Sequence, residues 1–308
     1  MSAKGLDQDG FIAREGSLDR VASAFAPVVR AARVAITDAF ESTRLHSTYL
    51  YGSVPRGTAV PGVSDLDLLL ALRSAPTAAD RAAADALEAA LDGAFEQVNG
   101  VSLLLFSTDT LLSELERYDL GWMVACLCTP LLGDDLAARL PRYRTSSELA
   151  RESNGDLASA LTRWRGRAAA LPTHDPSTHD PDPHDPSTGT PSTGTPGAGD
   201  PVADDPGAGD PATDAERRRL NRAVTRRIVR TGFTLVMPRW GGWTSDLAES
   251  AEVFGRYYPE RAAQMRRAAA IARVSTADTS SLGMLLDDLG PWLAAEYIAV
   301  HGERTPRA

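Results

Sequence analysis

Lysine is nearly missing from this 308-residue chain: Lys4 is the single one, and the rest of its 32 basic residues are arginines. Any side-chain cation acting on phosphate or carboxylate oxygens is therefore expected to be an arginine, whose planar fork suits two-point recognition. Cysteine is scarce as well. Cys126 and Cys128 cannot build a disulfide framework, and their C-x-C spacing lacks the second pair that a structural zinc site needs. No apolar run approaches the ~18 residues of a membrane span, and the longest, around residues 66–72, is broken by Asp67. Lys4, Asp7 and Asp9 stand where a secretory signal would be apolar. These absences predict a soluble, cytoplasmic protein.

What is present suffices for a core, with 43% hydrophobic and 24% charged residues, and the length favours two domains or one with an appendage. The net charge of −9 is unevenly spread. Residues 171–213 hold eight aspartates and no basic residue, and without those eight the charge falls to −1. The remainder is nearly neutral, without the excess positive charge of a duplex-binding protein, so nucleic acid is not an expected partner.

From His174 a pentapeptide repeats eight times, beginning HDPST-HDPDP-HDPST, with a proline in register in every copy. Proline at every fifth residue forbids helix, and almost nothing apolar is available to bury. A solvated, disordered linker over 171–213 is expected. His174, His179 and His184 allow weak metal capture, but an expanded repeat without function accounts for them equally. The linker separates a domain at 17–170 from a helical one at 214–302, with 1–16 a flexible N-terminus.

Within the first domain, Ser17 is the candidate N-cap of a helix carrying Val21, Phe25, Val28, Val29, Ala32, Ile36 and Phe40. Residues 47–51, 65–72 and 101–106 read as strands and 77–95 as an alanine-rich helix. Residues 108–117 and 120–128 read as helices, and 52–63, with three glycines and two prolines, as a loop. The fold class is therefore α+β: a small mixed sheet with helices, then a helical domain. In the latter, helices are expected from Asp214 and over 251–258, 261–273 and 281–301. The first carries an apolar stripe and a run of arginines.

Chemistry concentrates at Gly52-Ser53-Val-Pro-Arg56-Gly57 and Ser64-Asp65-Leu66-Asp67. On a strand, Asp65 and Asp67 share one face while Leu66, Leu68 and Leu70 take the other. Neighbouring carboxylates repel unless a cation sits between them, and Mg²⁺ accepts one or two carboxylates plus substrate phosphates. Gly52 and Ser53, with Arg56 and Ser64, are candidate phosphate holders. The implied reaction is metal-assisted phosphoryl or nucleotidyl transfer. An isolated Asp-x-Asp is common, often mere solvated charge. The compound pattern arises by chance in about one chain in ten thousand.

This segment resembles the DNA polymerase beta-like nucleotidyltransferase superfamily, whose hallmark of Gly-Ser, a loop and an acidic–hydrophobic–acidic strand is matched by Gly52, Ser53, Asp65, Leu66 and Asp67. Arg56-Gly57 narrows the likeness to the minimal and aminoglycoside-type nucleotidyltransferases. Leu131-Leu-Gly133-Asp-Asp135-Leu is similar to a segment these proteins carry after the sheet. Residues 227–237, Trp243-Thr-Ser-Asp246-Leu and Arg256-Tyr-Tyr-Pro259 are similar to their helical second domains. The likeness spans 17–140 and, loosely, 214–300.

The resemblance implies transfer of a nucleoside monophosphate, AMP from ATP, to a hydroxyl of a small-molecule acceptor with release of pyrophosphate. Asp65 and Asp67 would hold Mg²⁺ in a two-metal site. An acidic acceptor cleft would favour a cationic acceptor such as an aminoglycoside. Arg226, Arg227 and Arg230 are candidates to clamp the triphosphate. Trp240 and Trp243 either stack on a ring of the substrate or seal a domain corner. The family places a third carboxylate, the general base, on a neighbouring strand. Here Ser102 or Gly100 stands at that position, Glu96 lies too far upstream, and Asp246 is a substitute from the helical part. Two alternatives follow: a protein-adenylylating antitoxin-type enzyme with a toxin partner, or a degenerate nucleotide binder.

Overall fold

The computed structural model describes residues 5–171, 211–274 and 276–307. Residues 172–210, most of the pentapeptide repeat expected to be disordered, therefore lie outside the described residues, while its last three, 211–213, begin a helix, since proline is tolerated in a first turn. Pro27 opens α1 (Ala26–Ala39) and puts Val28, Val29, Ala32 and Ile36 on its buried face. Ser17, the expected cap of that helix, instead precedes a single 3-10 turn, Leu18–Arg20, with no side-chain cap. Proline in a first turn loses no hydrogen bond and comes with a preset φ, so it fixes the later start.

Strand β1 (Leu45–Tyr51) passes through Gly52 into a one-turn helix, α2 (Ser53–Arg56), inside the stretch expected to be loop. Next come β2 (Leu66–Leu72), α3 (Ala78–Ala94) and β3 (Val101–Ser107), close to their expected bounds. Thr77 starts α3 with a reciprocal capping box: its hydroxyl accepts from Asp80 N at 3.2 Å, and the Asp80 carboxylate accepts from Thr77 N at 2.7 Å.

The next region departs from expectation. Only α4 (Thr108–Leu111) is a regular helix there, and two π-helical turns follow at Arg117–Gly121 and Met123–Leu127. Thr129–Gly133 is a fourth strand, β4, so the segment expected after the sheet begins inside it. Pro130 conceals this strand in the sequence, since proline is tolerated only at an edge. The order β3-β2-β1-β4 puts β4 at that edge, with β2–β3 parallel and the other pairs antiparallel.

Leu66, Leu68, Leu70 and Leu72 pack with α1 and α3 on one side of the sheet. Leu69 and Ala71 pack on the other side beneath Leu111, Val124, Cys128 and Leu136.

The helical part comprises α5 (Ser147–Asn154), α6 (Leu157–Ala170), α7 (Pro211–Trp240), α8 (Leu247–Tyr257) and α9 (Ala262–Arg273). A π-helical turn, Met284–Leu289, leads into α10 (Gly290–His301). Leu149, Leu157 and Leu161 share one core with Leu220, Ile228, Phe233 and Leu293. The packing boundary therefore does not fall at the linker: α5 and α6 precede the repeat in sequence and belong to the helical core in space. Residues 5–16 are packed rather than flexible. Ile12 is buried in that core and donates its N–H to Tyr143 O at 2.8 Å, and Arg14 pairs with Asp135 at 2.7 Å. Among the described residues no helix is long and apolar enough to cross a membrane.

Candidate active site

Asp67 sits in the middle of the sheet, its backbone in register with Tyr51 on β1 and Ser102 on β3. Gly52 turns the chain beside it with φ 82° and ψ −151°, a conformation open to glycine alone. A Cβ on Gly52 would lie 2.5 Å from Asp67 Oδ2, so glycine is required twice, by backbone angle and by space. Burial first, and then the Asp65 charge, push the Asp67 carboxyl up to about 6, against the opposing pull of Arg226, Arg230 and Arg222. Among the described residues, no hydrogen bond or ion pair reaches this carboxylate.

Asp65, one residue before β2, is held differently. Its Oδ2 accepts from Arg222 in an ion pair and its Oδ1 from Asn99 at 3.4 Å. Both aspartates act on the same arginines, so the pair faces one recess as the strand alternation predicts.

The opposite wall is α7. Arg222, Arg226 and Arg230 recur every fourth residue and therefore share one face of the helix. Burial lowers the Arg226 pKa, as do Arg222 and Arg56, while Asp65 and Asp67 raise it. Surrounding protein, then Arg226 and Arg56, hold Arg230 down to about 10, which leaves it charged at neutral pH. Arg230 is nonetheless exposed, so it stands open to solvent beside the aspartates and not in a packed interior. The rest of α7 explains this placement: Leu220, Val224, Ile228 and Phe233 occupy the helical core and leave the arginine face toward the sheet.

The other candidates divide. Arg56 reaches Ser245, lies 3.7 Å from Glu15 and keeps a buried Nε without a partner, while its charge acts on Arg226 and Arg230. It bridges the two halves at the edge of the recess. Ser53 is the first residue of α2, directly after Gly52. Ser64 braces its loop by accepting from Val60 N at 2.9 Å. Arg227 turns away and pairs with Asp156 at the start of α6, so it does not join the arginine row. Trp243 does not offer a stacking face. It is buried edge-on to Trp122 at 4.8 Å between ring centroids and donates to Glu15 at 2.7 Å. Trp240 packs edge-on to Phe233 at 5.8 Å. Asp246 caps α8 by accepting from Glu249 N at 2.8 Å, and among the described residues no hydrogen bond or ion pair joins it to Asp65 or Asp67.

The register also settles what neighbours the aspartates on β3. Ser102 stands opposite Asp67 and its hydroxyl acts on the Tyr51 phenol, while a Cβ on Gly100 would be 3.7 Å from Asp65 Oδ1. Glu96 is exposed upstream of the strand. Four guanidiniums, of Arg56, Arg222, Arg226 and Arg230, thus gather with three carboxylates, Asp65, Asp67 and Glu15.

Residue types alone left Arg222, Asn99 and Tyr51 out of the site. For Arg222 the usable signal was the four-residue spacing to Arg226 and Arg230, and no comparable pattern marks the other two.

Among the described residues no group of three or more His, Cys, Asp or Glu gathers as for a metal cage. The donors present instead fit a cation that shares its ligands with a substrate, since Asp67 is uncommitted and Gly52 leaves room beside it. No protein-family model matches this chain, and no curated protein matches it.

Proposed function

We propose that the protein transfers a nucleoside monophosphate, AMP from ATP, to an acceptor oxygen and releases pyrophosphate. One observation carries the reading: an uncommitted, glycine-flanked carboxylate, Asp67, stands beside Asp65 and opposite a row of arginines on α7. Opposite charges facing each other across a recess suit a metal–triphosphate pair, with Arg226 and Arg230 taking phosphate oxygens. Gly52 and Ser53 would let the triphosphate approach the backbone. Arg222 would pass from Asp65 to the phosphates as the nucleotide enters. Mg²⁺ held by Asp65 and Asp67 would supply stabilisation of the charge that develops on the leaving pyrophosphate.

Binding of ATP to the full chain with and without Mg²⁺, followed calorimetrically, tests this reading together with pyrophosphate release. Asp65→Asn and Asp67→Asn should each cut release by roughly 10³-fold, the several kcal/mol that a catalytic metal supplies. ATP binding that ignores both Mg²⁺ and these substitutions would refute it. A second reading, nucleotide binding without transfer, is favoured by Ser102 standing opposite Asp67. It predicts the same binding with no release on any acceptor.

A further inference from the structure

We propose that the acceptor is an oxyanion, a phosphate monoester or a carboxylate, and not an alcohol or an aminoglycoside; this rests on the nucleotidyl-transfer reading. The first observation is the wall beside Asp67. Ser102 faces it across the β2–β3 ladder, and Tyr51 pairs with Asp67 in register on the other side. Both side chains are hydroxyls, which carry their proton at neutral pH and present a donor. They can donate to a developing charge but cannot take a proton from an alcohol. Among the described residues no hydrogen bond or ion pair joins Asp246, the cap of α8, or the exposed Glu96 to Asp67.

The second observation is the sign of the recess. Arg56, Arg222, Arg226 and Arg230 outnumber Asp65, Asp67 and Glu15, the last 3.7 Å from Arg56, and the charges acting most on Arg226 are Arg222, the two aspartates and Arg56. A polycationic acceptor would be repelled there, whereas an oxyanion meets guanidinium forks shaped for it.

These two features suit the same reaction. An alcohol must lose its proton as it attacks, and a positioned base supplies about 10²–10⁴-fold of the rate. A phosphate monoester, with its second pKa near ~6, or a carboxylate is already ionised. One of its oxygens attacks the α-phosphorus of the nucleoside triphosphate and forms a new O–P bond. The bond from that phosphorus to the β-phosphate bridging oxygen breaks, and the electron pair leaves on pyrophosphate. No proton moves, and the product is a mixed anhydride.

The test incubates the full chain with Mg²⁺ and ATP labelled at the α-phosphate. Glucose 1-phosphate represents phosphate monoesters, a free amino acid represents carboxylates, and glycerol and an aminoglycoside represent alcohols. Labelled products and pyrophosphate are both followed. Transfer to one of the oxyanion arms, at least ~10²-fold faster than to either alcohol and flat between pH 7 and 9, is the expected result. Which arm is labelled identifies the source of the oxyanion. Ser102→Asp should raise alcohol transfer, with a rate that climbs with pH, and lower oxyanion transfer; the wild-type comparison stands even if that variant fails to fold. Wild-type transfer to glycerol or the aminoglycoside at a rate equal to the oxyanions overturns the inference and leaves nucleotidyl transfer intact. Mg²⁺-dependent ATP binding with no labelled oxyanion product also overturns it. Absence of ATP binding removes the underlying reading itself.

Discussion

Asp67 is ionised at neutral pH only against the resistance of its surroundings, and this has a measurable sign. Its carboxyl is raised from 3.8 to about 6 by burial and then by Asp65. Between those values the folded chain holds a proton that the unfolded chain has released, so stability falls as pH rises through that window. Below 3.8 both states are protonated and the cost vanishes; above 6 it is fully present, about 2–3 kcal/mol. Asp67→Asn should therefore stabilise the protein by that order at pH 7.5 and hardly at all at pH 3.5, read by urea unfolding at both values. Gly52→Ala should do the reverse. It forces a side chain into a glycine-only conformation, 2.5 Å from Asp67 Oδ2, and should cost about 1–3 kcal/mol by the same measurement. Calorimetry on that variant should also show weakened ATP binding. At this scale the paired aspartates and the Gly-Ser turn were legible, because strand alternation and glycine's backbone freedom are local. That Arg222 would neutralise Asp65 from 157 residues away was not.

Helix α7 sorts its arginines by angle. Residues 222, 226 and 230 fall on the face toward the sheet, whereas Arg227, one residue and about 100° on from Arg226, pairs with Asp156. Arg226→Gln and Arg230→Gln are expected to weaken ATP binding about tenfold each, the value of one charge-assisted hydrogen bond. Arg227→Gln should leave binding unchanged in the same titration and lower stability by about 1 kcal/mol, since its ion pair is only half-buried. Equal losses of affinity at 226 and 227 would show that the helix is rotated from this arrangement. Other elements were legible in proportion to how much local signal they carried. The buried leucine run of β2 and the Thr77–Asp80 box of α3 left little choice. β4 was hidden because Pro130 and Gly133 mask a short edge strand, and α1 started late because Pro27 overrode Ser17.

Across the whole molecule, the C-terminal segment closes a charged seam. Arg304 pairs with Asp119, and Arg307 reaches Glu116 at 3.1 Å and Glu152 at 3.0 Å, the two glutamates being buried. Removing both arginines by truncation after Gly302 leaves these carboxylates short of partners. It should cost about 2–4 kcal/mol, or roughly 5–10 °C in thermal melting, since stranded buried charge is expensive. The seam draws on residues before and after the repeat, as the helical core does through Leu149, Leu157 and Leu161. By itself the sequence determined the α+β composition, the two aspartates on one strand face and the proline-rich interruption, because short-range periodicity and backbone restriction dictate them. Only the tertiary structure decided which helices share a core across that interruption and which arginines reach the aspartates. It also decided that Ser102, and not Gly100, stands opposite Asp67. Those outcomes depend on contacts between residues far apart in the chain, and no local pattern encodes such distances.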